Sequence, residues 1–167
     1  MLLDKYMEDF DFNEIHQIEI GAHPAEIYSL LKKIDFTRSR IIKTLFNLRR
    51  LPKEMSNLEG FIKVGFMLLE EKETEEIVIA FLGNKDGLHQ ITHTEFQNFT
   101  KEGHVLGAWN LFLTELDEKK TLLSTETRVF CTDNKAKFLF SLYWFFIAPF
   151  SAWIRRIMLR SIKEEVE

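Results

Sequence analysis

Glu126 and Arg128 are the residues of this chain best placed to do chemistry together. Thr121 to Cys131 alternates as a strand, and residues two apart on a strand project from one face. Ser124, Glu126, Arg128 and Phe130 therefore share a face, and Leu123, Thr125, Thr127 and Val129 share the other. The charged pair supports two readings. On a solvated face it contributes under about 1 kcal/mol. Inside a hollow domain, each charge neutralises the other and the pair recognises a carboxylate or hydroxyl on an otherwise apolar ligand. Asn110 and Trp109 occupy the centre of the preceding strand on opposite faces, so only one of them can line such a space. Arg49, near the end of an expected helix, either reaches the mouth of the space and meets an anionic group, or lies on the surface with its stem on apolar neighbours. Arg49, Asn110, Glu126 and Arg128 are thus the expected polar contacts to a ligand.

A catalytic reading needs a positioned acid or base, for which His16 or Glu126 is the nominee. His16 shares a strand face with Ile18 and Ile20, which equally suits a hydrogen-bonded core histidine. His89 and His93 are four apart, but their segment reads as strand, so the five histidines outline no metal site. A Gly-rich phosphate loop and a nucleophile elbow are both missing from the sequence, and no cofactor is expected. The single cysteine, Cys131, excludes an internal disulfide and fits a reducing, cytoplasmic setting. It precedes a helix cap and has no activating partner in sequence.

The elements that position these residues follow from periodicity. Phe12 to Gly21 alternates as a half-buried strand. Pro24 suits the first turn of a helix whose stripe is Ile27, Leu30, Leu31 and Ile34. A second helix is predicted from about Ser39 to Arg50, stopped by Pro52, and a short one over Leu58 to Val64. Strands are predicted at Phe66 to Glu70 and Glu76 to Leu82, flanking an acidic turn. Leu88 to Phe99 reads as strand followed by one helical turn. His104 to Leu116 and Thr121 to Cys131 are the strongest strands. Asp133 or Asn134 caps a last helix running from Lys135 to about Glu165.

That helix carries an uncharged run, Phe138 to Ile154, with eight aromatic residues in seventeen. A membrane span needs about 20 apolar residues, and here the run is bounded by Lys137 and Arg155-Arg156. Ile157, Met158, Ser161 and Ile162 continue one face beyond the arginines, while Arg155, Arg156, Arg160 and Lys163 are expected on the other. Amphipathic continuation favours packing on protein, so no stable membrane insertion is expected. Pro149 is expected to kink the helix.

The chain has 167 residues, a net charge of −4 and 16 phenylalanines, so it fits one domain, 1–167, with a dry interior or pocket. Lack of a long basic block argues against nucleic-acid binding. Met1 to Phe12 holds four acidic residues, unlike a signal peptide.

The element order resembles the helix-grip fold of the START and pollen-allergen-like (SRPBCC) superfamily, particularly its small stand-alone bacterial members. The resemblance rests on His16 to Ile20 leading to Pro24-Ala25-Glu26-Ile27-Tyr28, on Leu48-Arg49-Arg50-Leu51-Pro52 and on Trp109-Asn110-Leu111-Phe112. It continues through Leu123 to Val129, Tyr143-Trp144 and Ser151 to Arg156. It implies an α+β fold: a curved antiparallel sheet of about six or seven strands, two short helices, and the long C-terminal helix across the concave face around a cavity. It also implies a partner of small hydrophobic type, since superfamily members bind lipids, sterols, polyketides and plant hormones, and some are cyclases or aromatases. The expected function is non-catalytic binding of a small hydrophobic or amphipathic ligand. A cyclase- or hydrolase-like enzyme and a membrane or protein-interaction module are the alternatives. Oligomeric state stays open.

Overall fold

Alternation along β1 (Phe12–Ile20) is realised as half-buried positions on one side and exposed ones on the other. The computed structural model describes residues 1–35 and 56–167, together with Lys43, Thr44 and Asn47. The helix expected over Ser39 to Arg50, and with it Arg49, lies largely outside the described residues.

Before β1 comes a five-residue helix, α1 (Leu2–Tyr6), and after it α2 (Pro24–Leu31), entered through Pro24. A short α3 (Leu58–Lys63) precedes the strands β2 (Met67–Lys72), β3 (Glu76–Asn84) and β4 (Gly87–His89). The expected helical turn is α4 (His93–Gln97), held by a capping box between Thr92 and Glu95. Then follow β5 (Val105–Asp117), β6 (Lys120–Cys131) and α5 (Asn134–Val166). The six strands form one antiparallel sheet in the order β1-β6-β5-β3-β2, with β4 on β3. This is the α+β helix-grip arrangement, an open antiparallel sheet carrying a long C-terminal helix. Bulges at Leu68/Glu70 and Glu115/Asp117 bend the ladders locally.

Both faces of the sheet carry a core, and the second leaves the outer side of β1 exposed. One carries Ile20, Ile77, Ile79, Trp109, Leu111, Leu113 and Leu123 against α2, α3 and the C-terminal half of α5, where Met158, Leu159 and Ile162 are buried. The other carries Val78, Ala80, Leu82, Leu106 and Ala108 against Leu3 and Met7 near α1 and Phe96 of α4. Within this sheet the Phe81 ring lies over its cross-strand neighbour Gly107. A β-carbon at Gly107 would fall 2.1 Å from that ring. Gly107→Ala is therefore expected to destabilise the protein by about 1–3 kcal/mol, through a displaced ring rather than backbone strain; urea unfolding measures it, and a Phe81→Ala background should relieve the clash.

Helix α5 contains Pro149 within its 134–166 span. It departs from expectation in that its aromatic run is not wrapped by the sheet. Phe145, Phe146 and Phe138 are 76, 68 and 63% exposed, and Leu139, Leu142, Tyr143, Phe150 and Trp153 are exposed as well. Among the described residues, Phe140 and Trp144 on the opposite stripe meet Phe12 at ring-centroid distances of 5.1 and 6.3 Å. The helix is long and apolar enough to cross a membrane by length and composition, and its most apolar stretch is unburied. Apolar periodicity identified a helix that packs on protein: Ile154, Ile157, Met158, Leu159 and Ile162 join the core, and from the aromatic half Phe140 and Trp144 add their contact with Phe12.

Candidate functional site

Register along β1 and β6 sets Glu14 opposite Thr127 and His16 opposite Thr125. These four side chains form a polar island on the face that α5 covers, amid the apolar side chains of Ile18, Leu123 and Trp109. Helix α5 delivers Arg155 onto the island. Its Nη1 donates to Thr125 Oγ1 at 3.3 Å and its Nη2 to Thr127 Oγ1 at 3.1 Å. The guanidinium carbon sits 4.4 Å from the centre of the Trp109 ring, a cation–π contact. Nε2 of His16 lies 2.6 Å from Glu14 Oε1. The second carboxylate oxygen, Glu14 Oε2, is buried and has no hydrogen-bond partner among the described residues. A buried acceptor left unmatched costs on the order of 1–3 kcal/mol, so it marks a place where a donor from outside the chain would be stabilised.

The arrangement has a plain chemical capacity. Arg155 presents a guanidinium, which recognises carboxylates and phosphates. Glu14 presents an acceptor for a hydroxyl, and beside them Trp109, Phe61 and Phe66 form a packed apolar cluster, Phe61 edge-on against both other rings. Sequence reasoning placed Arg155 outward with Arg156. The helical period carried the contrary signal: at about 100° per residue, residue 155 falls between the directions of Met158 and Leu159, both buried. Thr125 and Thr127 were set on the face opposite Glu126 and Arg128, where they are found, but were not singled out.

Asn110, Glu126 and Arg128 lie together on the other face of the sheet, away from α5. Glu126 and Arg128 are each only 8% exposed and face α1. Arg128 donates from Nε to Glu126 Oε1 at 2.7 Å, from Nη1 to the Met7 carbonyl at 2.8 Å, and from Nη2 to Asp4 Oδ1 at 2.8 Å. Phe10 lies under its guanidinium. Asn13 donates to Glu126 at 2.9 Å. Asn110 accepts from the Glu126 backbone N–H and donates to Glu76 Oε1 at 2.7 Å. Glu76, 1% exposed, accepts from the backbone N–H groups of Leu2 and Leu3. This network binds the N-terminal segment to the sheet. Asp4 and Glu76 went unrecognised because the contacts that tie α1 to the sheet, Leu3 to Glu76 and Asp4 to Arg128, join positions more than 70 residues apart.

The Arg128 guanidinium beside Asp4 holds that carboxyl below its ordinary value of 3.8. For Asp11, burial pushes upward, but Lys137 and the Cys131 N–H outweigh it and the net direction is also down. Carboxyls depressed in the folded state contribute stability that is present above about 3.8 and is lost as pH falls through their lowered folded values. Urea midpoints should therefore be level from pH 6 to about 4 and fall steeply below, with the fall reduced in Asp11→Asn. Burial pushes the Cys131 thiol up to about 12, so it stays protonated at neutral pH.

Comparison with known proteins returns no matching family model and no matching curated protein. Among solved structures, the chain is similar to Thalictrum flavum norcoclaurine synthase at 9% identity, covering 93% of this chain and 96% of that one, with a TM-score of 0.45. It is similar to a hypothetical protein of Helicobacter pylori at 10% identity, covering 98% and 94%, TM-score 0.44. It is also similar to a Streptomyces aromatase/cyclase at 10% identity, covering 93% of each chain, TM-score 0.30. Likeness at this level transfers neither ligand nor activity, and function has to be argued from the chain's own side chains.

Proposed function

We propose that the protein binds, without transforming it, a small apolar ligand with one polar end, seated between α5 and the β1–β6–β5 face of the sheet. The observation that carries this reading is the polar island of Glu14, His16, Thr125 and Thr127 under Arg155, with one buried carboxylate oxygen unmatched. Apolar burial at about 25 cal/mol per Å² would supply affinity, and Arg155 and Glu14 would set orientation by taking a carboxylate and a hydroxyl. Arg49 stays in the proposal as a further anion contact on sequence grounds. Asn110, Glu126 and Arg128 are assigned instead to holding the N-terminal segment. Native mass spectrometry of protein purified from its own host tests the idea: a co-purifying mass of a few hundred daltons supports it, and bare protein that also fails to take up a medium-chain fatty acid sinks it.

One contact favours a second, cyclase- or hydrolase-like reading. Glu14 beside His16 is the arrangement by which a carboxylate orients an imidazole base. His16→Gln separates the two: a carrier keeps its affinity for ligand, whereas an enzyme loses turnover.

A further inference from the structure

The exposed half of α5 is a surface that the ligand site does not use. At about 100° per residue, Phe138, Leu139, Leu142, Tyr143, Phe145, Phe146, Phe150 and Trp153 fall within an arc of about 160°, extending for about 22 Å along the helix. Charge tells what covers it. The helix, Asn134–Val166, has six basic residues, and its two acidic ones, Glu164 and Glu165, lie in its last turn beyond the basic cluster, in a chain whose net charge is −4. Exposed Lys135 bounds one end of the apolar face, and exposed Arg156 and Arg160 continue that same face at the other. A two-fold contact of this face with a second copy would bring cationic ends onto cationic ends, whether the helices ran parallel or antiparallel.

We infer that this face docks in the plane of a bilayer containing anionic lipid, with the aromatic rings at the acyl boundary and Lys135, Arg156 and Arg160 among the headgroups. Aromatic residues partition to that boundary, and basic residues flanking an apolar face add attraction to anionic lipid. The helix lies along the surface rather than across it. Beyond the aromatic run, Met158, Leu159 and Ile162 are buried in the core, and before it Lys137 pairs with Asp11 and the buried Ala136 closes the cap at Asp133. Spanning would tear both ends off the sheet.

Flotation with phosphatidylcholine vesicles, with and without phosphatidylglycerol, tests the inference. Wild-type protein should float with the anionic vesicles at low salt and far less with phosphatidylcholine alone. Phe145→Asp/Phe146→Asp should lower partitioning at least about tenfold. Arg156→Gln and Arg160→Gln should each lower it about fivefold, on anionic vesicles only. All substituted side chains are exposed, and unchanged thermal midpoints and unchanged fatty-acid binding would keep these results separate from the ligand site. Failure of wild-type protein to float, or equal flotation of the double aspartate variant, overturns the inference. So does a dimer in lipid-free buffer that the same substitutions abolish, which would make the face a self-interface. Resistance to alkaline carbonate extraction would overturn the in-plane arrangement.

Discussion

Replacement of Arg128 by methionine is expected to lower the unfolding free energy by about 3–5 kcal/mol and the thermal midpoint by about 10 °C. The size follows from what remains behind. Glu126 is 8% exposed and would be left in a site stripped of its cationic partner, with Asn13 as its remaining side-chain donor. The Met7 carbonyl loses its donor as well, and Asp4 loses the group that holds α1 in place. The N-terminal residues should therefore loosen first, seen as faster amide exchange at Leu2 and Leu3. Removing both charges, in Arg128→Met/Glu126→Leu, should recover part of the loss, because a buried pair replaced by apolar side chains is often close to neutral. A loss under about 1 kcal/mol for the single variant would mean that the pair behaves as a solvated surface bridge.

Arg155→Met is expected to weaken binding of laurate, a twelve-carbon carboxylate, by about 10- to 100-fold, while a twelve-carbon alcohol loses little. A hydrogen bond to a charged group contributes about 1.5–3 kcal/mol, and tenfold in affinity is about 1.4 kcal/mol. Methionine retains apolar contact with Trp109 and removes only the charge and donors. Isothermal titration with both ligands separates these contributions. Equal losses for acid and alcohol would indicate that Arg155 shapes the space instead of recognising an anion.

Much of this architecture was legible in the sequence because it is local. Alternation in Phe12 to Gly21 and Thr121 to Cys131 sorts side chains onto faces without knowledge of partners, and the Asp133 cap locates the start of α5. Asn110 and Glu126 were singled out, and the structure brings them together through a single side chain–backbone hydrogen bond. What they serve was not legible. Helix α1 is one turn and a half, too short for periodicity to register, and it is held by Glu76, Asp4 and Arg128 across distant chain positions. Glu76 sits among turn-forming acids and reads as one more solvated carboxylate; its burial depends on Asn110 arriving from β5. Arg155 illustrates the opposite fault. Its charge suggested solvent, whereas its helical phase pointed inward. Amphipathic continuation past Arg155-Arg156 points to protein cover for α5, and that inference holds for the segment that shows it, Ile154 to Ile162. Sequence alone does not say whether protein or lipid provides the cover.

The most direct measurement is an intermolecular NOE experiment on the protein with carbon-13-labelled laurate. Ligand seated as proposed gives contacts from its chain to the Trp109 indole and to the methyl groups of Thr125, Thr127 and Leu123. Contacts confined to Val78, Ala80 and Ala108 on the opposite face, or to Phe145 and Phe146 on the exposed side of α5, would contradict a binding site between helix and sheet.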